Sequence, residues 1–262
     1  MHLIYFVNSL AKAIYIDSRH KSILFTLDQE TIGKFARQPS YTRIGSASCT
    51  LFFDLKNQIV HNRIGIRINS FTNLSIAEIY FLNTHLPDFV IVPMIKNVFD
   101  IQNLRQILDP AIEIIPLIET CSSLVDLPRI VACSFINRVH LGINDLSIEL
   151  GLGFMFNFLL SPAFDWYSDI CSQNKVSFGF GGVSAPLSDA TAALKPFHII
   201  TEHARIGSDC CIISRNFESL EGEAISDNII EIRRLYSSLL TESSSFFYKS
   251  RQNLSNLLSN LD

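Results

Sequence analysis

A chain of 262 residues, 48% hydrophobic and 18% charged, has enough apolar material for one large closed core and too little charge for a mainly disordered polymer. The formal net charge is −4 and no block of Lys or Arg stands out, so neither nucleic acid nor an anionic membrane surface is the expected partner. Six cysteines (Cys49, Cys121, Cys133, Cys171, Cys210, Cys211) are scattered without a C-x-x-C pair, which excludes a zinc framework or a small disulfide scaffold and fits reduced thiols in a cytoplasmic protein.

The chain opens on the apolar run Leu3–Val7. It lacks a basic flank and is shorter than the ~7 to 15 apolar residues of a secretory signal, so it reads as a first strand, although Ala11-Lys12-Ala13 imitates a cleavage site. Further strands are expected at Ser22–Leu27, Arg63–Asn69, Asp88–Pro93, Glu113–Glu119, Arg138–Gly142, Val176–Phe180 and Asp209–Ser214. All are dense in Ile, Val, Leu and Phe rather than alternating with polar residues, the pattern of strands buried on both faces. Stretches of helical length and mixed polarity separate several of them, among them Asn73–Thr84, Val98–Leu108 and Cys121–Phe135. No apolar run approaches the roughly 18 residues of a membrane span.

Eight strands with intervening helices predict an α/β fold, a (β/α)8 TIM barrel, with a doubly wound open sheet as the nearest rival. Glu221–Leu240 carries apolar residues at helical spacing, and a second amphipathic helix is expected from Thr241 onward. The expected organisation is therefore a barrel catalytic domain over residues 1–217 and a C-terminal helical extension over 218–262. The extension would pack on the barrel or on a neighbouring subunit, which makes a homo-oligomer the expected assembly.

Three strands end in a charged residue: Ile64-Gly-Ile-Arg67, Ile114-Ile-Pro-Leu-Ile-Glu119 and Val139-His-Leu-Gly142-Ile-Asn144-Asp145. Parallel barrel strands bring their exits to one rim, so Arg67, Glu119 and Asp145 would face one bowl. Two carboxylates one βα unit apart offer hard oxygen ligands suited to Mg²⁺ or Mn²⁺. Arg67 supplies a planar donor fork suited to a substrate carboxylate. For either carboxylate alone, capping of the following helix is the better explanation; for the pair beside Arg67, a metal is. An ion pair with Asp28 is the alternative for Arg67, and both roles can coexist.

The ordered set of segments resembles the HpcH/HpaI aldolase and citrate lyase beta-subunit family of the phosphoenolpyruvate/pyruvate barrel superfamily. The matching segments include Asp28-Gln-Glu30-Thr-Ile-Gly33-Lys34-Phe-Ala-Arg37-Gln38, Arg67-Ile-Asn69, Val92-Pro-Met-Ile95, Leu117-Ile-Glu119-Thr120 and Gly142-Ile-Asn-Asp145-Leu-Ser147. Phe154-Met-Phe156, Phe178-Gly-Phe-Gly-Gly182, Glu202-His203-Ala-Arg205-Ile-Gly207-Ser208 and Ile213-Ser-Arg215-Asn-Phe217 complete it. The resemblance implies a barrel that breaks or forms carbon–carbon bonds through a pyruvate- or acetyl-like enolate. Glu119 and Asp145 would be the metal ligands, and Arg67 would neutralise substrate charge. Asp28 and Glu30 match an acidic pair after strand two, expected to orient Arg67 and the metal's water or to act as a base. Gln29 replaces the usual Leu, and Met94 stands where several members carry Lys.

Gly142 and Asn144 are further candidates for substrate binding. Gly33-Lys34 could contact a substrate carboxylate, with a solvated surface charge equally expected for Lys34. His140 is expected to be a buried, hydrogen-bonded core residue and His203 to be structural, at a subunit contact. The glycine-rich stretch Phe178–Gly182 is expected to follow strand seven, as a phosphate-binding turn or a site of close backbone packing. The leading functional expectation is a metal-dependent lyase or aldolase acting on a small 2-oxo or hydroxy acid. An acyl-CoA lyase or thioesterase on the same fold, and a barrel without turnover serving as a binding or assembly subunit, are the alternatives.

Overall fold

Every residue of the strands Ile23–Asp28, Phe89–Val92 and Arg138–Leu141 is buried, the condition of a parallel strand covered by helices on one side and by barrel contents on the other. In the computed structural model, which describes residues 1–32, 49–187 and 194–260, eight such strands close a parallel barrel in sequence order. They are β1 (His2–Phe6), β2 (Ile23–Asp28), β3 (Arg63–Arg67), β4 (Phe89–Val92), β5 (Glu113–Ile118), β6 (Arg138–Leu141), β7 (Ser177–Val183) and β8 (Cys210–Ile213). The α/β barrel expected from the apolar runs is the fold of this protein. The open sheet is excluded by the pairing of β1 with β8.

The described helices are α1 (Leu10–Asp17), α2 (Cys49–Gln58), α3 (Ile76–His85), α4 (Val98–Ile107), α5 (Cys121–Val125), α6 (Leu127–Val131), α7 (Ile143–Glu149), α8 (Pro162–Gln173), α9 (Pro196–Arg205), α10 (Gly222–Leu239) and α11 (Ser244–Leu258). Local chemistry sets several starts. Ser75 and Glu78 form a reciprocal capping box on α3, and Asn97 caps α4. The single helix expected over Cys121–Phe135 is instead two. Pro128, in the first turn of α6, has no N–H to continue a helical ladder. Asp126, at the break, accepts from the backbone N–H of Val98 at 2.6 Å and so ties α4 to this corner.

Two cores share the strands. Ile4, Leu24, Phe89, Ile91, Ile115 and Leu117 fill the barrel interior together with Cys210, and a larger cluster lies between the strands and the helices. Glycine makes the interior fit. At Gly65 a β-carbon would stand 2.3 Å from the Phe89 ring, and at Gly179 it would stand 1.6 Å from the Cys210 carbonyl oxygen. The stretch Phe178–Gly182 thus lies inside β7, not after it, and close backbone packing is the reason for its first glycine. The six cysteines are all free.

After β8 the chain makes a 3-10 turn, Arg215–Ser219, and continues into α10, which packs on α9 and α1. Helix α11 lies on α9 and on the 3-10 turn Met155–Leu160, with Leu254 and Leu258 buried against the barrel. Arg251 on α11 donates to Asp165 at 3.1 Å and approaches the buried Glu202 at 3.5 Å; Arg205 pairs with the same two acids at 2.7 Å each. No helix among the described residues is long and apolar enough to cross a membrane.

The glycine packing gives a direct test. Gly179→Ala forces a β-carbon into main chain that cannot yield, and is expected to cost about 3 kcal/mol or more or to abolish soluble expression. Gly181→Ala, whose β-carbon would meet Ile212 at an ordinary 3.5 Å, should shift the melting temperature far less. Equal effects in thermal denaturation would contradict the packing described.

Candidate active site

At the C-terminal end of the barrel a cavity of about 610 Å³ is lined by Arg67, Glu119, Gly142, Asn144 and Asp145 among others. The residues expected at the strand exits are therefore in one bowl. Apolar side chains of Phe6, Leu117, Met155 and Ile212 also face it.

Glu119 leaves β5 at the rim, and the duty of capping α5 falls to its neighbour. Thr120 accepts from the backbone N–H of Ser123 at 3.0 Å, and Ser123 returns a bond to the Thr120 N–H. Helix capping is thus ruled out as the role of Glu119. Its carboxylate accepts from the backbone N–H of Met94 at 2.7 Å. Met94 has φ +53, a left-handed conformation that side-chain-bearing residues seldom adopt. Gly142 opposite has no room for a side chain, because a β-carbon would lie 2.6 Å from Glu119 Oε2. Gly142 thus faces the cavity and also creates the space that Glu119 occupies. Asp145 sits in the first turn of α7, whose start carries no side-chain cap.

Burial, then the charges of Asp145 and Glu30, push the Glu119 carboxyl up to about 8, against the Met94 N–H and Arg67, which pull it down. Like charges held in a poorly solvated pocket behave this way, and a divalent cation would reverse the effect. No group of three or more His, Cys, Asp or Glu side chains among the described residues is arranged to hold a metal. Glu119 and Asp145 are a two-carboxylate set. That donor set fits Mg²⁺ or Mn²⁺, which bind through one or two carboxylates and take their remaining oxygens from water and substrate.

Arg67 is held from behind. Its Nε and Nη2 donate to Asp28 Oδ1 and Oδ2 at 3.0 and 2.7 Å, Glu30 lies 3.4 Å from Nε, and the guanidinium lies over the Phe6 ring at 4.5 Å. Burial alone would ease its proton off, but Asp28 and Glu30 outweigh that and hold it more firmly charged than usual. Asp28 and Glu30 are themselves buried and are absent from the cavity wall. Their position supports orientation of Arg67 rather than contact with a substrate. The ion pair and the cavity-facing role of Arg67 coexist.

A second guanidinium was not singled out by the sequence reading. Arg215, just past β8, lines the cavity and donates to Asp28 Oδ2 at 3.1 Å. The rule that located Arg67, a charged residue at a strand exit, finds it too. Asn69 was also overlooked as a brace: its side-chain oxygen accepts from the N–H groups of Thr31 and Ile32 at 3.0 and 2.9 Å. Gly33, Lys34, Arg37 and Gln38 lie outside the described residues.

The histidines are not at the cavity wall. His203 is fully buried on α9, stacked on Phe180 with ring centroids 3.7 Å apart and bonded through Nδ1 to Ser208; its place is inside this chain's own core. His140 is buried as expected, with the main chain of Leu141 and Phe180 beside its ring. Burial lowers its pKa to about 3, which keeps the ring neutral.

No protein-family profile matches the chain, and no curated protein matches it in sequence. Solved structures do. An HpcH/HpaI aldolase/citrate lyase family protein from Burkholderia cenocepacia J2315 aligns with 89% of this chain and 94% of its own, at 12% identity and TM-score 0.58. A citrate lyase from Burkholderia xenovorans LB400 aligns with 97% of this chain and 92% of its own, at 12% identity and TM-score 0.59. A pyruvate kinase from Cryptosporidium parvum aligns with 95% of this chain and 73% of its own, at 11% identity and TM-score 0.65. Identities this low establish the shared barrel fold, the one found in structures of the HpcH/HpaI aldolase and citrate lyase family.

The raised Glu119 pKa predicts a pH-dependent stability. Between about 4.5 and about 8 the folded state retains a proton that the unfolded chain has released, so this group's contribution falls as pH rises through that window. In chelator, Glu119→Gln should remove that decline and melt higher than the parent above pH ~8. Parallel melting curves from pH 5 to 9 would contradict the assignment.

Proposed function

We propose that this chain is a divalent-metal-dependent carbon–carbon lyase or aldolase acting on a small 2-oxo or hydroxy acid through an enolate. The observation that carries it is the pair Glu119 and Asp145 facing Arg67 across one cavity. The names of the solved structures that share the fold, an aldolase family and a citrate lyase among them, support a lyase. Mg²⁺ or Mn²⁺ is the proposed cofactor.

In this reading each residue has a separable task. Arg67 offers its donor fork to the substrate carboxylate, and Asp28 and Glu30 keep that fork aimed and charged. The Met94 N–H and the empty space at Gly142 fix the position of Glu119. Phe6, Leu117 and Ile212 form an apolar floor that excludes bulk water and strengthens the electrostatics above it. When bound by Glu119 and Asp145, a divalent ion supplies Lewis-acid stabilisation of negative charge on neighbouring substrate oxygens.

Chelation should abolish turnover on a panel of 2-oxo acids, hydroxy acids and acyl-CoA thioesters, and Mg²⁺ or Mn²⁺ should restore it. Glu119→Gln and Asp145→Asn should each weaken metal binding and lower kcat/KM by about a hundredfold or more, as expected for several kcal/mol of lost charge stabilisation. Turnover confined to thioesters would favour the acyl-CoA reading. Absence of turnover across the panel, with metal affinity unchanged in both variants, would leave a barrel that binds without catalysing.

A further inference from the structure

Four glycines lie within the described strands, Gly65 on β3 and Gly179, Gly181 and Gly182 on β7. Packing or backbone conformation accounts for three of them. A β-carbon at Gly65 or Gly179 would collide with Phe89 or with the Cys210 main chain. Gly182 has φ +103, and a β-carbon there would lie 2.8 Å from the Phe156 ring. Gly181 is under neither constraint. A β-carbon on it would meet Ile212 at 3.5 Å and His140 Cε1 at 3.8 Å, ordinary contacts in a folded core. Glycine inside a strand weakens it, and where the fold does not demand one, close approach of a ligand to the backbone is a recurrent reason. Gly181 lines the cavity.

The neighbouring wall indicates what approaches. Strand β7 bulges at this point: Gly181 pairs with Ile212 and Val183 with Ile213, so Gly182 has no counterpart on β8. Bulges often re-aim a strand beside a functional site. Here the bulge leaves bare main chain between two apolar side chains of the cavity wall, Ile212 and Met155. The Met155 methyl would lie 3.7 Å from a β-carbon at Gly182. The charged side chains of the cavity are held elsewhere. Arg67 and Arg215 both donate to Asp28 on β2, while Glu119 and Asp145 follow β5 and β6. An anion placed against the glycines would lose water and meet no cation in this wall. A thioether and a branched alkyl chain beside bare main chain suit an apolar chain or ring.

We propose that Gly181, flanked by Met155 and Ile212, is a specificity-determining position that forms an apolar subsite for the part of the substrate beyond its acid group. The substrate class is a 2-oxo or hydroxy acid carrying an alkyl or aryl substituent. This rests on the lyase reading, in which the acid group faces Arg67 and the carboxylate pair. Any side chain at position 181 would take up space against which the substituent lies.

Oxamates are unreactive analogues of 2-oxo acids whose amide nitrogen carries a chosen tail, and calorimetry with the full chain in Mg²⁺ compares them directly. Oxamate reports the acid end alone. N-Butyloxamate and N-phenyloxamate add an alkyl or an aryl tail, and N-oxalyl-β-alanine adds a carboxylate-ended tail of comparable length. The parent should bind at least one of the two apolar-tailed probes about tenfold or more tighter than oxamate, the worth of burying a few methylene groups. Which of them gains distinguishes alkyl from aryl substituents. N-Oxalyl-β-alanine should gain nothing. Gly181→Ala should remove most of the apolar gain and leave oxamate affinity within about twofold. Met155→Gln, which keeps the length of the side chain, should reduce the same gain. No gain from either apolar tail, a preference for the carboxylate-ended probe, or a gain untouched by both variants would overturn the apolar subsite. So would an equal loss for oxamate in a folded Gly181→Ala protein, which would place the glycine under the acid end. The lyase reading is tested separately by chelator: oxamate binding that ignores removal of Mg²⁺ would count against it, while the ratio among tails would still decide the subsite.

Discussion

The arrangement at the barrel mouth depends on a single buried carboxylate. Asp28 at the end of β2 accepts from Arg67 on β3 through two nitrogens and from Arg215 beyond β8 through one. Removing a charged side chain from water costs several kcal/mol per ion, and attraction offsets this only when geometry and remaining hydrogen bonds are good. Asp28 supplies that geometry to two cations at once. It draws together two parts of the chain 148 residues apart, as the difference of their numbers shows (215 − 67). Without it, the two neighbouring guanidiniums would be left with Glu30, 3.4 Å from Arg67, as their nearby anion.

The opposite side of the bowl has the converse problem. Glu119 and Asp145 repel one another, and for Glu119 the Met94 N–H and the guanidinium of Arg67 work against the effect. The bowl thus holds a neutralised cluster, Arg67 and Arg215 with Asp28 and Glu30, beside the carboxylate pair Glu119 and Asp145. Like charges held this close leave the rim locally suboptimal for stability, a common condition of functional sites.

Much of this was legible in the chain itself. The eight apolar runs became eight strands because both their faces are covered, so burial rather than alternation marks them. Arg67, Glu119 and Asp145 were visible because a charge that ends an apolar run must lie where the strand meets solvent or a cavity. Other features left weaker traces. The donor to Glu119 is a backbone N–H in a left-handed residue, and nothing in the side chain of Met94 announces that. Pro128 did signal the break that divides α5 from α6, but the flanking apolar residues read as one helix. Arg215 sat in plain view at a strand exit, and what the sequence could not convey is that its anion partner lies on β2.

Support of Glu119 by the main chain of Met94 has an evolutionary consequence. An amide N–H is supplied by any residue except proline, so position 94 can exchange its side chain while the donor stays in place. The side chain there can change as long as the left-handed turn survives. The carboxylate's support is thus indifferent to which residue stands at this rim position, a tolerance that a side-chain donor would have forbidden.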